Sequence, residues 1–435
     1  MSENTLQDTA WSPPEGYTQV ESQVPGVIVF APQPERMAHD QAVSYDCPNC
    51  GANIAYDVAA GGVTCEYCGY AAPVTAERVG RNAEDFEFTL ETLTQARQGW
   101  GTDRQVLHCD SCGGELSLSE GALTTSCPFC ASNQVNVITS QEETLRPRFL
   151  VPFKIQPDQT VSLAKTWLGK GWYHPGELAE NVVVRRFLGV YLPFWTFNAA
   201  VDARWRAEVG YQKTERRYNA RTKSWETRTR TVWKWENGRV HLDIDNLLVT
   251  GTAPNHLSHH ILHQLYPFNM EDLVAYRPDF LAGWQAQAYE TTLTEAWETG
   301  KSTIRGKAKK ACYQRIASNQ VRNFTMSADF SDESWRYILL PVYLAAYRYE
   351  DKVYQVMVNG QTGVVAGSKP VAWWKIWLAI AACLAPGGLL TLIGLPLTLV
   401  GGIGIFAIAL GIILFVVGVI IGFTIYNNAR KSESA

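Results

Sequence analysis

Cys47-Pro-Asn-Cys50-Gly51, Cys65-Glu-Tyr-Cys68-Gly69, Cys109-Asp-Ser-Cys112-Gly113 and Cys127-Pro-Phe-Cys130-Ala131 hold eight of the chain's ten cysteines. They form two sets of identical spacing, Cys-x2-Cys-x14-Cys-x2-Cys, offset by 62 residues. Two sulfurs three positions apart in a tight turn can occupy two corners of a tetrahedron, and a β-hairpin of about fourteen residues returns the next pair to complete it. Each set therefore predicts one zinc ribbon, with Cys47, Cys50, Cys65 and Cys68 holding one zinc ion and Cys109, Cys112, Cys127 and Cys130 a second. Iron stays open as an alternative ion for the same donors. The Gly after the second Cys of a pair permits a positive φ, which turns backbone N–H groups toward the thiolates. Ala131 departs from that pattern, and the last turn is expected to be less ideal. Four thiolates leave no open coordination position, so both sites read as structural staples in domains too small to fold unaided. Cys312 and Cys383 stand alone and read as packing residues.

Outward from the ribbons, charge divides the chain. Of 435 residues, 46% are apolar and 18% charged, and the formal net charge is −4. From Met1 to Arg146 there are 20 Asp and Glu, 6 Arg and no Lys, a balance of −14, whereas the remainder stands at +10. Each tetrathiolate zinc adds a further −2 to the acidic part, so a phosphate backbone should be repelled there and a protein surface is the better ligand.

No charged residue occurs between Lys375 and Arg430. At about 1.5 Å per residue and roughly 20 residues per span, that run holds two membrane helices and not three. They are placed near Trp374 to Gly394 and Ile403 to Tyr426, with Pro386-Gly387-Gly388 competing as the turn. Lys369, Lys375, Arg430 and Lys431 flank the pair and the turn has no cation, which predicts an inner (cytoplasmic) membrane protein with both termini cytoplasmic. The N-terminus lacks the basic start and apolar stretch of a cleaved signal.

The resulting map is a flexible segment at 1–43, a ribbon at 44–75, a connecting region at 76–104 with a helix from Asp85 to Gly99, and a second ribbon at 105–140. An α+β domain rich in antiparallel strands follows at 147–370, then two transmembrane helices at 371–427 and a tail at 428–435. In the α+β domain, the segments around Pro152, Pro193 and Pro341 share an apolar-Pro-apolar pattern, and each proline is expected at a strand start or sheet edge. Helices are predicted at Pro157 to Leu168 and from Thr292, where Thr292 and Glu295 suit a capping box. Tyr347 to Val358 reads as two strands turned at Glu350-Asp351, followed by a turn at Asn359 to Gly363.

From Arg204 to Arg239 there are 11 Lys and Arg against 4 Glu, interleaved with tryptophan and tyrosine. The alternation predicts a hairpin with a solvated face, and Arg216, Arg217, Arg228, Arg230 and Lys234 are its candidate contacts for anionic lipid or a partner protein, with nucleic acid as the remaining option. His256, His260 and His263, with His259 beside them, could share a helix face, but no carboxylate joins them and a surface helix is favoured. Thr299-Gly300-Lys301-Ser302 imitates the tail of a phosphate loop, yet Glu295 stands where the first Gly is required. With no triad, zincin motif or placed carboxylate pair, the chain reads as a non-enzyme with no small-molecule substrate.

The two ribbons, the linking stretch Gly99 to Cys109, Tyr191-Leu-Pro-Phe-Trp-Thr196, Ile338 to Tyr347, the Val358 to Gly363 turn and the C-terminal hairpin together resemble a family of bacterial zinc-ribbon membrane proteins. Its members are often labelled primosomal protein N′ or superfamily II helicase-like. This sequence has neither a phosphate loop nor a DEAD-type motif, so the label's helicase activity is not expected. The resemblance implies instead a partnership with cytosolic SPFH-domain (flotillin-like) proteins held at the inner membrane face. The eight cysteines match the family motif position by position, with Ala131 the departure. The expected function is a membrane-anchored adaptor, and the alternative is a membrane-tethered nucleic-acid-binding protein.

Overall fold

The structure, a computed structural model, describes residues 17–20, 29–32, 46–83, 85–87, 104–117, 127, 129, 132, 134–140, 145, 147–178, 187–221, 223–253, 259–350, 352–398 and 403–433. Two compact units divide at Val43 and Ser44. In the first, β1 (Tyr17–Val20) and β2 (Val29–Pro32) form an antiparallel pair. Everything below concerns the second.

Two long strands organise it. Strands β3 (Ala55–Asp57), β4 (Gly62–Thr64) and β5 (Ala71–Pro73) build the first ribbon; β6 is Phe86–Glu87; β7 (Arg104–Cys109), β8 (Glu115–Ser117) and β9 (Val135–Ser140) build the second. After β10 (Phe149–Leu150) come β11 (Leu188–Asn219), β12 (Ser224–Thr250), β13 (Val274–Ala275), β14 (Gln285–Ala286), β15 (Val321–Tyr349), β16 (Lys352–Asn359) and β17 (Val365–Gly367). β11 and β15 pair antiparallel from Leu188↔Leu344 to Val209↔Val321. Successive side chains of a strand point to opposite faces. Tyr191, Trp195, Phe197, Leu339 and Tyr343 thus enter one core cluster, and Val190, Leu192, Phe194, Ile338, Leu340 and Val342 the other. Both faces are covered, which is why these segments read as unbroken apolar runs rather than alternating ones.

The two long strands sit in matching frames. β10 runs parallel to β15 through Phe149↔Ile338, and β14 runs parallel to β11 through Val190↔Gln285. Each short strand leads through a capping box into a helix: Gln156 with Gln159 opens α1 (Pro157–Leu168), and Thr292 with Glu295 opens α3 (Leu293–Arg315), α2 being the short His259–Gln264 between them. The Gly251 N–H donates to Pro193 O and the Gly360 N–H to Pro341 O. The indole of Trp195 donates to Thr291 O, and the hydroxyl of Tyr343 donates to Ile155 O at the corresponding place. The domain is built as two copies of one strand–helix–long-strand motif related by a pseudo-two-fold axis between β11 and β15.

That arrangement corrects the expected place of the prolines. Pro193 and Pro341 lie inside the long strands, paired with Leu339 and Tyr191 respectively. Each sits where its strand exchanges neighbours on the side away from the other long strand. β11 leaves β14 after Tyr191 and joins β12 from Phe194, while β15 leaves β10 after Leu339 and joins β16 from Val342. A missing N–H is tolerated in such a gap because no ladder partner stands opposite it.

A second correction concerns the linker. Phe86 and Glu87, expected to be helical, pair with Trp335 and Ser334 as strand β6. An unsatisfied stretch of the β15 ladder offers them backbone partners, which outweighs helical spacing of a few apolar side chains. The rest of that expected helix, 88–99, lies outside the described residues. The two long helices match expectation: α1 buries Thr160, Ala164 and Leu168, and α3 a stripe through Leu293, Trp297, Gly300, Ile304, Ala308 and Cys312. Thr299 to Ser302 are helical, so no phosphate loop forms there. Tyr349 pairs with Lys352 on either side of the expected Glu350-Asp351 turn, of which Asp351 lies outside the described residues, and the Gly363 N–H closes the other expected turn on Asn359 O.

The C-terminal helices are α4 (Trp373–Leu397) and α5 (Ile403–Glu433), both long and apolar enough to cross a membrane. Pro386-Gly387-Gly388 is inside α4 rather than a turn. The helices approach closely through glycine: a Cβ on Gly411 would stand 2.4 Å from Thr391 Oγ1, and one on Gly418 would stand 2.4 Å from Cys383 O. Small residues at such contacts let backbones pack without a hydrophobic drive between lipid-facing helices. The base is bolted to the sheet domain. Lys369, buried over the Trp167 ring at 4.0 Å, donates through Nζ to Trp167 O and Lys170 O, and Lys375 Nζ donates to His174 O. Burial pushes the Lys369 ammonium down to about 8. Gly411→Leu is expected to lower the thermal midpoint of the full chain in lipid nanodiscs, in line with about 1–3 kcal/mol of overpacking. Gly388→Leu, where an added Cβ meets nothing within 4 Å, is expected to leave it unchanged; equal effects would contradict this packing.

Candidate metal centres

Each ribbon is built from paired turns of one design. The Cys47 N–H donates to Ala52 O and the Gly51 N–H to Cys47 O; Cys65 with Tyr70 and Gly69, and Cys109 with Gly114 and Gly113, repeat both bonds. Gly51, Gly69 and Gly113 have φ of 71°, 71° and 73°, as the sequence predicted. The Cys127 N–H donates to Ser132 O in the same way. Cys130 and Ala131 lie outside the described residues.

The sulfur geometry tests the metal reading. Sγ of Cys47 and Cys68 are 3.5 Å apart, Cys50 and Cys65 3.6 Å, and Cys112 and Cys127 3.7 Å. A disulfide would bring a pair to about 2.05 Å. A tetrahedral ion with bonds of about 2.3 Å sets its sulfur ligands roughly 3.8 Å apart. The observed spacings match the second case. Cys47, Cys50, Cys65 and Cys68 form one group with all ligand atoms within 4.8 Å, and Cys109, Cys112 and Cys127 form another. Both groups can hold a metal ion. Among the described residues these are the groups of three or more His, Cys, Asp or Glu at that spacing. His256 is outside the described residues, and His260 and His263 are exposed on the six-residue α2.

Within the first group the thiols are electrostatically unequal. The Asn49 side chain and the Tyr70 backbone N–H hold the Cys68 thiol down at about 6. At Cys50 the Ala52 N–H favours the thiolate, but hydrogen bonding to Cys68, burial and the other two thiols outweigh it and push the group up to about 12. Metal-free, the cluster thus sets a thiolate at Cys68 beside a protonated Cys50. A metal must displace the Cys50 proton, so its apparent affinity falls as pH falls, by about tenfold per unit for each proton released.

The sheet fixes where the ribbons sit, and they take opposite faces. Ribbon one docks on the loop before β14: the Tyr56 N–H donates to Ala282 O, the Trp284 indole donates to Tyr56 O, and Tyr56 packs on Phe280. Tyr56 and Val63 belong to the core cluster of Tyr191 and Trp195. Ribbon two joins the edge through Ser117↔Ala286, and Gln355 Nε2 donates to Phe129 O. Its Leu107, Leu116, Cys127 and Phe129 belong to the cluster of Val190, Leu192 and Phe194. Sequence reasoning singled out the seven described cysteines that cluster here and missed this docking, because Tyr56, Phe129 and Trp284 carry no spacing signal.

The candidate contact residues of the basic segment lie on one long hairpin. β15 stops pairing with β11 at Val209, and β11 and β12 continue as a two-stranded arm to Asn219↔Ser224. By register, Arg217, Arg228, Arg230 and Lys234 share one face of the arm. Arg216 lies on the other, with Tyr218, Trp225, Trp233 and Trp235. Trp225 is 68% exposed and Trp235 51%. Arg322 stacks over Trp233 at 4.1 Å and Arg206 over Trp235 at 4.4 Å.

Comparison with known proteins adds one relative. The chain is 25% identical over 339 residues, 77% of this chain and 92% of the other, to the uncharacterized protein YdjG of Bacillus subtilis (strain 168). No protein-family model matches the chain, and no solved structure matches it.

Removing Cys47 and Cys50 together (both to Ser) is expected to reduce tightly held metal, measured by elemental analysis of the purified full chain, from two ions per chain to one. A count of two in the variant would contradict the ligand assignment.

Proposed function

We propose that this chain is a membrane-anchored zinc-ribbon adaptor that holds a cytosolic protein at the inner face of the membrane. Zinc is the ion that suits four thiolates with no open position and no redox role. The flanking cations Lys369, Lys375, Arg430 and Lys431 support a cytoplasmic side for both ends of the helical pair. The resemblance described above makes an SPFH-domain, flotillin-like protein the candidate partner.

The observation that carries the reading is the position of the arm. α4 starts beside the end of β15 where Ala346 pairs with Gln355, and the arm leaves from the opposite end, where Val321 pairs with Val209. At about 3.3 Å per residue the strand path between them is up to roughly 80 Å, and the arm adds about 30 Å more. That distance favours a protein in solution over lipid of the chain's own membrane. A two-stranded ribbon that pairs with no further strand among the described residues is marginal alone, and its exposed aromatics with a basic face suit an acidic protein surface. Confinement to the bilayer then raises the effective concentration of weakly bound partners.

The basic, aromatic arm is also what favours nucleic acid as the second reading. One experiment separates them. Full-length protein, cross-linked and purified from solubilised membranes, is expected to bring down one partner in stoichiometric amount. Charge reversal of Arg216, Arg217, Arg228 and Arg230 to Glu should abolish it while two metal ions per chain remain. Recovery of the chain alone contradicts the adaptor reading, and nuclease-sensitive DNA or RNA in the partner's place supports the second.

A further inference from the structure

Beside the bulges at Asn198, where β11 shifts register against both its neighbours, lies a cavity of about 760 Å³. Arg336 lines it and is only 2% exposed. Its Nε pairs with Asp85, and its Nη2 donates to Asn246 Oδ1 at 3.0 Å and to Arg81 O at 3.4 Å. Asp85 is held in turn by Asn198 Nδ2 and Ser334 Oγ, and the Asn246 N–H donates to Asn198 Oδ1. Every member of this network is engaged, yet Nη1 of Arg336 is buried with no hydrogen-bond partner among the described residues. A guanidinium has five donors and the site leaves part of the fork unfilled.

The rest of the lining says what would fill it. Lys307 and Arg81 add two cations, Arg81 ion-paired with Glu271 at 3.7 Å, and Asp245 adds one carboxylate. The lining also includes the apolar Leu262, Tyr266, Phe268 and Met270. Cations together with aromatic and thioether side chains suit a ligand with an anionic head and an apolar body, and the volume lies in the range of small-molecule sites. We propose that this cavity binds an amphiphilic organic anion, its carboxylate or phosphate among the cationic lining residues Arg336, Lys307 and Arg81 and its chain along Tyr266, Phe268 and Met270. Arginine matches either head group through paired N–H donors. The Asn198 bulges fit such a role, because bulges redirect side chains next to binding sites.

Photolabelling of the full chain in phosphatidylcholine nanodiscs with a diazirine analogue of decanoate tests this, with labelled residues mapped by mass spectrometry. The expected result is labelling within 262–270, at least tenfold reduced by excess decanoate or decyl phosphate and unaffected by decanol. The stronger competitor identifies a fatty-acid-like or a phosphate-bearing source. Arg336→Gln should reduce that labelling at least tenfold, with metal content as the check on folding. Thr303→Trp, which fills the cavity from the exposed side of α3, should do the same without touching the buried network. Labelling confined to α4 and α5, equal competition by decanol, or undiminished labelling in Thr303→Trp would each overturn the proposal.

Discussion

The antiparallel pairing of β11 with β15 is the constraint on which the other parts depend. Both strands are buried on two faces, and each is flanked by a short parallel strand and then by an antiparallel return. A sheet of that kind cannot leave either face to water without exposing Tyr191, Trp195 and Phe197 on one side or Leu192, Phe194 and Leu340 on the other. Burial of such side chains stabilises by about 1.5–3 kcal/mol each. Something has to cover them. The helices and the segments around Phe268, Met270 and Phe280 cover part, and each ribbon covers a further part of one face.

The ribbons therefore have a structural task that explains their metal chemistry. Modules of three short strands bury too little to hold themselves together, and an ion held by the clustered cysteines would supply what the core does not. They are joined to the sheet by Tyr56, Trp284, Ser117 and Phe129 rather than carried as separate heads. The basic arm leaves from the end of the long strands opposite the start of α4.

Much of this was legible before the fold was known, and the rest was hidden for physical reasons. The cysteine spacing pointed to the two clusters because coordination geometry leaves few alternatives, and the uncharged run pointed to two helices long and apolar enough to cross a membrane. The hairpin at Arg204 to Arg239 showed in its alternation. The duplicated motif did not show, because what the copies share is backbone geometry, such as Gly251 on Pro193 and Gly360 on Pro341, carried by otherwise different side chains. The prolines misled for the same reason: a strand can change neighbours at a proline, and sequence carries no record of who the neighbours are. Asp85 and Arg336 stand far apart in sequence, with no pattern to join them, so the buried network and its cavity emerged only in the fold.

The central claim is that metal in the ribbons holds the covering layers onto the sheet. Hydrogen exchange on the full chain in nanodiscs, before and after complete chelation, tests it most directly. Loss of protection at Tyr56 should be accompanied by loss at 282–287 and 355–358, where the ribbons dock, while the α4–α5 pair stays protected. Faster exchange confined to the ribbons, with 282–287 and 355–358 unchanged, would contradict the account.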